Sequence, residues 1–308
     1  MLHNTRHRPP PRKPHPKITR PGKRKRVTLI AAIRCETGVV VCADSQETVG
    51  DYRVTVRKIK PRDCNQYDLV IGGAGDIGAL IDGQARALEE SVRAWPSGVT
   101  ESDCRIWLEG VLATYTDDVV MHYPAELTEK VLRFVICVRD KTSRSIYLWK
   151  TEANVVEPVD ADYVLVGWKE HLYDHEAARL YNQGFTGLEG TVLGLRLLSL
   201  GKATNNYIGD PFQVIMVGFG GVVTESQDTV EALQKRIKQR NDALSDIDIV
   251  TANLSVSDQV IDDALKHFKE AILGLRHEVR VHTLEVHDAI HAHTADNMTL
   301  SVDDSEKP

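Results

Sequence analysis

Nowhere in the 308 residues does an uninterrupted apolar run approach the roughly 18 residues that a membrane-spanning helix needs, and the first residues lack the apolar segment of a secretory signal. The expectation is a cytoplasmic protein with no membrane partner. Cysteine is sparse: Cys35, Cys42, Cys64, Cys104 and Cys137 are an odd count without a CxxC pair, which argues against a disulfide framework and a zinc ribbon. Buried, reduced thiols are expected, with Cys42 and Cys137 packed inside apolar runs rather than reactive. No repeat of fixed period is present. Acidic residues are absent from positions 1–27, which hold ten Lys or Arg. Setting those cations aside turns the overall −6 into about −16 for the remainder. Nucleic acid is therefore excluded as the main partner, because phosphate binding needs a clustered positive face.

What is present is enough apolar material for a core: 42% hydrophobic residues against 27% charged. Residues 1–27 read as a basic, Pro-rich disordered leader, too poor in apolar side chains to offset the entropy of ordering. Its Lys23-Arg24-Lys25-Arg26 run has no interleaved aromatics and reads as a solvated linker. At Val27 the pattern changes. Thr28–Arg34 and Val39–Ser45 are apolar runs joined by Glu36-Thr37-Gly38, which predicts a buried β-hairpin. Tyr52–Ile59 and Tyr67–Gly72 predict a second extended pair, followed by Gly72-Gly73-Ala74-Gly75. A helix is expected from Asp76, with Ile77, Leu80, Ile81, Ala85 and Leu88 on one face. Another follows over Glu101–Tyr115, with Ile106, Leu108 and Leu112 apolar.

Further strands are expected at Leu132–Val138, Ser145–Trp149, Asp162–Val166 and Gln213–Gly218, and helices at Glu170–Gln183 and Leu188–Lys202. Two strand groups, each followed by a helix pair, fit two sheets between helical layers. Residues 223–308 read as a mostly helical C-terminal extension, through Thr229–Leu244 and Ser257–Leu273, ending in an acidic frayed tail.

Three residues can carry chemistry. Thr28 opens the first strand and Asp44 closes the second, so the hairpin folds them together, and Lys58 follows one short excursion later. A Thr hydroxyl is a weak nucleophile that needs a base, and a free α-amine on the same residue can supply one. Such an amine has a pKa of about 7.7–8.0, so a useful fraction is neutral near working pH. Lys58 would keep the oxygen's proton affinity low, and Asp44 would hold Lys58 charged and oriented.

Thr28-Leu29-Ile30-Ala31-Ala32-Ile33 and Gly38-Val39-Val40-Val41-Cys42-Ala43-Asp44-Ser45 resemble the opening of proteasome β-subunits and of HslV-type and Anbu-type peptidases. Thr48, Gly50 and Arg57-Lys58-Ile59 resemble the next positions, with a slightly shorter loop before Lys58, and Ala74-Gly75 followed by Gly78 resembles the substrate-pairing segment. The specific motifs lie within residues 28–79, whereas the order of elements fits over 28–222. The resemblance implies an α+β, four-layer αββα sandwich of the N-terminal-nucleophile (Ntn) hydrolases. It also implies a threonine peptidase or amidohydrolase with Thr28, Asp44 and Lys58 catalytic, no metal and no cofactor. Thr48 and Gly75 would hold an extended peptide or protein substrate as an added strand, with the Gly75 amide as oxyanion donor. Glu47, Gly73 and Ile77 would stand at specificity pockets. A homo-oligomer, as a ring or a helical assembly, and an ATPase partner are the implied associations.

The resemblance is incomplete. The family has a serine near Gly167 and an aspartate before a Ser-Gly turn near Gly209, whereas this chain has Val166-Gly167-Trp168-Lys169 and Asn205-Asn206-Tyr207-Ile208-Gly209. Val27, not glycine, precedes Thr28, which must become the chain terminus for the amine to act. Val27 read as a GUG start codon would yield Met-Thr and expose Thr28 after methionine removal. An inactive structural or binding subunit of the same fold is the main rival reading, and a small-molecule amidase a third. His267, His277, His282, His287, His291 and His293 do not form HExxH and read as a solvated helix or an oligomer contact.

Overall fold

The computed structural model describes residues 24–25, 28–49, 52–75, 77–122, 132–167, 169–252 and 257–299; at 24, 25, 48, 49, 252 and 282–299 the backbone alone is described. The leader outside 24–25 and the tail beyond 299 fall outside these residues.

The predicted hairpin forms as β2 (Leu29–Cys35) and β3 (Gly38–Ala43), antiparallel from Ile30 opposite Ala43 to Cys35 opposite Gly38. Its turn requires glycine: Gly38 has φ +150, and a Cβ there would lie 2.0 Å from the Val217 carbonyl oxygen. The hairpin is the centre of a five-stranded antiparallel sheet, ordered β11 (Tyr163–Gly167), β2, β3, β12 (Gln213–Gly218), β13 (Gly221–Thr224). A second antiparallel sheet runs β10 (Val155–Pro158), β9 (Ile146–Glu152), β8 (Arg133–Asp140), β7 (Tyr67–Ala74), β6 (Ile59–Cys64).

Side-chain alternation along β2 and β3 explains the layering. Ile30, Ala32, Val39, Val41 and Ala43 face Val70, Val135, Cys137 and Leu148 of the other sheet, giving an inner core. Leu29, Ala31, Ile33, Val40 and Cys42 point the opposite way, onto α3 (His171–Leu180) and α4 (Gly187–Thr204). Both faces are buried, so the strands read as continuous apolar runs. On the far side, α1 (Gly78–Arg93) and α2 (Glu101–Asp118) cover the second sheet through Leu80, Ile81, Leu88, Leu108 and Leu112. Helix, sheet, sheet, helix is the expected four-layer sandwich.

Thr100 caps α2 by accepting the Asp103 N–H, and Thr186 with Glu189 forms a capping box on α4. Of the apolar residues named for α2, Ile106 is 55% exposed, and Cys104, Leu108 and Leu112 make the buried face at four-residue spacing. Of the expected extension 223–308, residues 223–224 belong to β13; α5 (Gln227–Ala252) and α6 (Asp258–Thr299) follow, the latter longer than the expected span to Leu273. Val230, Leu233 and Ile237 of α5 are buried in the outer core. Among the described residues, no helix is long and apolar enough to cross a membrane.

One expectation is corrected. Tyr52–Ile59 is not one strand: β5 (Tyr52–Thr55) pairs with β4 (Gln46–Val49) in a separate small sheet, and pairing with β7 begins only at Ile59 in β6. The break is enforced by Gln213, whose side-chain oxygen accepts the N–H groups of Lys58 and Ile59 at 3.0 and 3.2 Å while its nitrogen donates to the Val56 carbonyl at 2.8 Å. Arg24–Lys25, within the segment read as disordered, forms β1 on the edge of β4, with Lys25 opposite Thr48 and Arg24 opposite Val49. An edge strand presents unpaired backbone groups, and a passing chain can satisfy them.

Candidate active site

Thr28 precedes the first residue of β2 and is 1% exposed. Asp44 follows β3 directly, so the antiparallel register sets its carboxylate beside the start of β2. Asp44 Oδ1 accepts the Leu29 N–H at 3.0 Å, and the Asp44 N–H donates back to the Leu29 carbonyl at 3.4 Å. Oδ2 accepts Lys58 Nζ at 2.7 Å and the Gln46 N–H at 3.3 Å. Both side chains of the ion pair are fully buried. The Gln213 clamp that breaks the strand also delivers Lys58 to this spot.

Burial raises the Asp44 carboxyl above its ordinary value; the Lys58 ammonium and the two backbone donors oppose that rise. Among the described residues, Thr28 Oγ1 has no hydrogen-bond partner, and neither has the buried hydroxyl of Ser45, next to Asp44. A buried hydroxyl without a partner costs stability.

The remaining candidates lie on neighbouring elements of the chain or outside the described residues. Thr48 is in β4, its side chain outside the described residues, and Gly75 follows the end of β7. Glu47 is buried and Ile77 half-buried. The side chains of His282, His287, His291 and His293 lie outside the described residues.

The two positions where the sequence departs from the proteasome pattern have structural explanations. Asn205 is buried after α4, with its side-chain oxygen accepting the Tyr207 N–H at 2.9 Å, so it braces its own turn. Gly167 has φ +131 and lies against Thr28: a Cβ there would come within 1.9 Å of the Thr28 carbonyl oxygen. No side chain fits at 167.

Two residues that sequence reasoning missed meet at this turn, Glu170 within it and Arg133 from the start of β8. Glu170 Oε2 accepts the Gly167 N–H at 2.8 Å, and Oε1 pairs with Arg133 Nη1 at 2.5 Å. Arg133 sits opposite Ala74 in the ladder, one residue from Gly75. The only sequence signal was a glutamate three residues past a glycine at a strand-to-helix turn.

No family model and no curated protein matches this sequence. Solved structures do match its fold. Anbu from Hyphomicrobium sp. strain MC1 aligns with TM-score 0.56 at 16% identity, over 74% of this chain and 100% of that one. The Anbu (Gly-1) mutant from the same strain aligns with TM-score 0.56 at 16% identity, over 71% and 95%. Anbu (ancestral beta-subunit) from Yersinia bercovieri aligns with TM-score 0.54 at 15% identity, over 67% and 92%. The chain has the proteasome-like fold of Anbu. The resemblance drawn from residues 28–79 therefore holds for the architecture, and each of these Anbu chains is spanned over at least 92% of its length. Within the Anbu fold, chemistry has to be argued from the residues themselves.

Proposed function

We propose that this chain is a threonine-type Ntn hydrolase of the proteasome-like class that cleaves peptide bonds through an acyl-enzyme on Thr28. The observation that carries the reading is the buried Asp44–Lys58 pair, 2.7 Å apart and tied to the backbone next to Thr28, whose hydroxyl has no partner among the described residues. In a chain whose first residue is Thr28, the neutral α-amine takes the Oγ proton as Oγ bonds to the substrate carbonyl carbon. The resulting ammonium gives that proton to the leaving amine as the C–N bond breaks. Water then attacks the ester with the amine again as base, restoring the free hydroxyl and releasing the acid. Lys58 favours the developing alkoxide electrostatically, and Asp44 keeps Lys58 charged. The chemistry asks for neither metal nor cofactor.

Substrate would lie extended on the edge of β4, with Thr48 and the Gly75 amide as backbone partners. That edge already pairs antiparallel with Arg24–Lys25, which supports its capacity to take an added strand. A homo-oligomer, ring or helical, an ATPase partner that feeds unfolded chains, and a cytoplasmic location belong to this reading. The extension 223–308 would serve assembly or gating.

A second reading, an inactive structural or binding subunit of the same fold, is favoured by one observation: the Asn205 side chain is committed to Tyr207. An epoxyketone probe separates the two, because it needs both the hydroxyl and the free amine. Protein beginning at Thr28 should be labelled, and Thr28→Ala should abolish labelling; a folded Thr28-terminal protein that stays unlabelled would establish the subunit reading.

A further inference from the structure

We propose that two copies of this chain pair antiparallel through one exposed face of α6, about a two-fold axis at Lys269. This pairing deepens the reading of 223–308 as an assembly element, on which it rests, and is independent of the chemistry at Thr28.

Two rows of side chains run along α6. Ile261, Ala264, Phe268, Ile272, Leu275 and Val279 recur every three or four residues and are half-buried, the last two against the outer core. Contacts of Arg236 with Glu278 and of Asp246 with His267 show that α6 runs antiparallel to α5. The other row has the same spacing and is exposed throughout: Asp258, Asp262, Leu265, Lys269, Leu273, Arg276 and Arg280. Leu265 is 49% and Leu273 53% exposed. Among the described residues, none of the five charged members has an ion-pair partner. Within the row Asp258 stands four residues from Asp262, and Arg276 four from Arg280. Like charges at that spacing destabilise an isolated helix, whereas a merely solvated face gains from alternating signs.

The row is its own complement when reversed. With a second copy turned end for end about Lys269, Asp258 meets the second copy's Arg280, Asp262 its Arg276, and Leu265 its Leu273, because the members of each pair stand equally far from residue 269. Acid falls on base and apolar on apolar, which is the condition of an isologous interface. Symmetry repeats each contact, so ion pairs flank a central patch of leucines over a helix stretch of about 33 Å. Lys269 alone meets its own copy, and its long stem carries the ammonium out to solvent. A partner of another kind would not require the acids and the bases to be segregated to opposite ends of one row.

The test reads register by crosslinking and strength by sedimentation, in the full-length chain. Lys269→Cys should give a disulfide-linked dimer on mild oxidation, because both copies of residue 269 stand at the axis, and the parent chain should not. Leu265→Cys, whose two copies would lie about 12 Å apart along the helices, should stay unlinked, and Leu265→Cys with Leu273→Cys in one chain should link. At low salt, Arg276→Glu with Arg280→Glu should weaken pairing about ten-fold or more. Adding Asp258→Lys and Asp262→Lys to that chain should restore it to within about three-fold, since the reversed row is again self-complementary. Three results would each overturn the proposal: a parent chain that stays monomeric at every concentration, Leu265→Cys linking as readily as Lys269→Cys, or a quadruple variant as weak as the double one. Should the charge variants fail to fold, the cysteine variants decide it. Assembly that survives Arg276→Glu with Arg280→Glu, with no Lys269→Cys link, would keep a homo-oligomer and sink this interface. Epoxyketone labelling reads Thr28 separately, so an unlabelled protein that pairs through α6 would sink the hydrolase reading while upholding the pairing.

Discussion

The buried Asp44–Lys58 pair should be expensive to break and inexpensive to remove. Asp44→Ala strands a fully buried ammonium and deprives the Leu29 and Gln46 N–H groups of their acceptor. The loss expected is about 3–5 kcal/mol from the uncompensated charge, with about 1–3 kcal/mol more from the unmet donors. Lys58→Met leaves the carboxylate buried without its cation and should cost a comparable amount at pH 7. Burial already raises the Asp44 carboxyl, and loss of the cation would raise it further. The sign follows: the folded state then binds more protons than the unfolded state, so the stability of Lys58→Met should recover as pH falls toward 5. Asp44→Asn combined with Lys58→Met removes both charges and keeps an acceptor for Leu29, so the double variant should lie within about 1–2 kcal/mol of the parent. Urea denaturation at matched protomer concentration, followed by tryptophan fluorescence, reads the cycle. With Asp44→Asn as the matching single variant, costing about 3–5 kcal/mol like Lys58→Met, the cycle closes on a coupling energy of about 4–9 kcal/mol. Additivity within about 0.5 kcal/mol would refute the argument that the pair is held by mutual compensation. Epoxyketone labelling should vanish in the double variant although its stability returns, which separates the pair's chemical role from its structural one.

Gly167→Ala should cost about 2–4 kcal/mol, because φ is +131 and the new Cβ would sit 1.9 Å from the Thr28 carbonyl oxygen; labelling should fall with it. The same change at Gly110, inside α2 with no atom within 4 Å of the added carbon, should instead stabilise by about 0.5–1 kcal/mol. Burial pushes the Cys137 thiol up to about 12 from 9.0, so unfolded chains ionise first as pH rises. By linkage one such thiol destabilises the fold by about 1.4 kcal/mol at pH 10, and Cys137→Ala should flatten the alkaline limb of the stability profile despite its lower plateau.

The central hairpin was legible because both of its faces are buried, so that Thr28–Arg34 and Val39–Ser45 stand out as apolar runs around a glycine turn. Its register followed from the turn, and with it the approach of Asp44 to the start of β2. The break between β5 and β6 was not legible, because it depends on Gln213, 155 residues from Lys58 in sequence. Local preference could not reveal a strand ended by a distant side chain. β4 was missed because Gln46-Glu47-Thr48-Val49 is polar and sits in a small outlying sheet, where the alternation that betrays strands is weak. Glu170, before α3, and Arg133, at the start of β8, are 37 residues apart in sequence and meet only in three dimensions. Asn205 was legible as a departure, but its bond to Tyr207 was not.

The contest between enzyme and inert subunit turns on what each structural feature costs. Two fully buried charges, two buried hydroxyls without partners among the described residues, and a turn pressed against a backbone carbonyl all converge where β2 and β3 meet. A fold selected only to pack would gain from apolar replacements there, since a buried pair rarely outweighs its own desolvation. Elsewhere the central sheet is continuous apolar contact. Such features around one hydroxyl are what a reacting centre demands: the cation must already be in position and dehydrated when the alkoxide forms. The Asn205 turn weakens that case only to the extent that the amine needs a partner from that side.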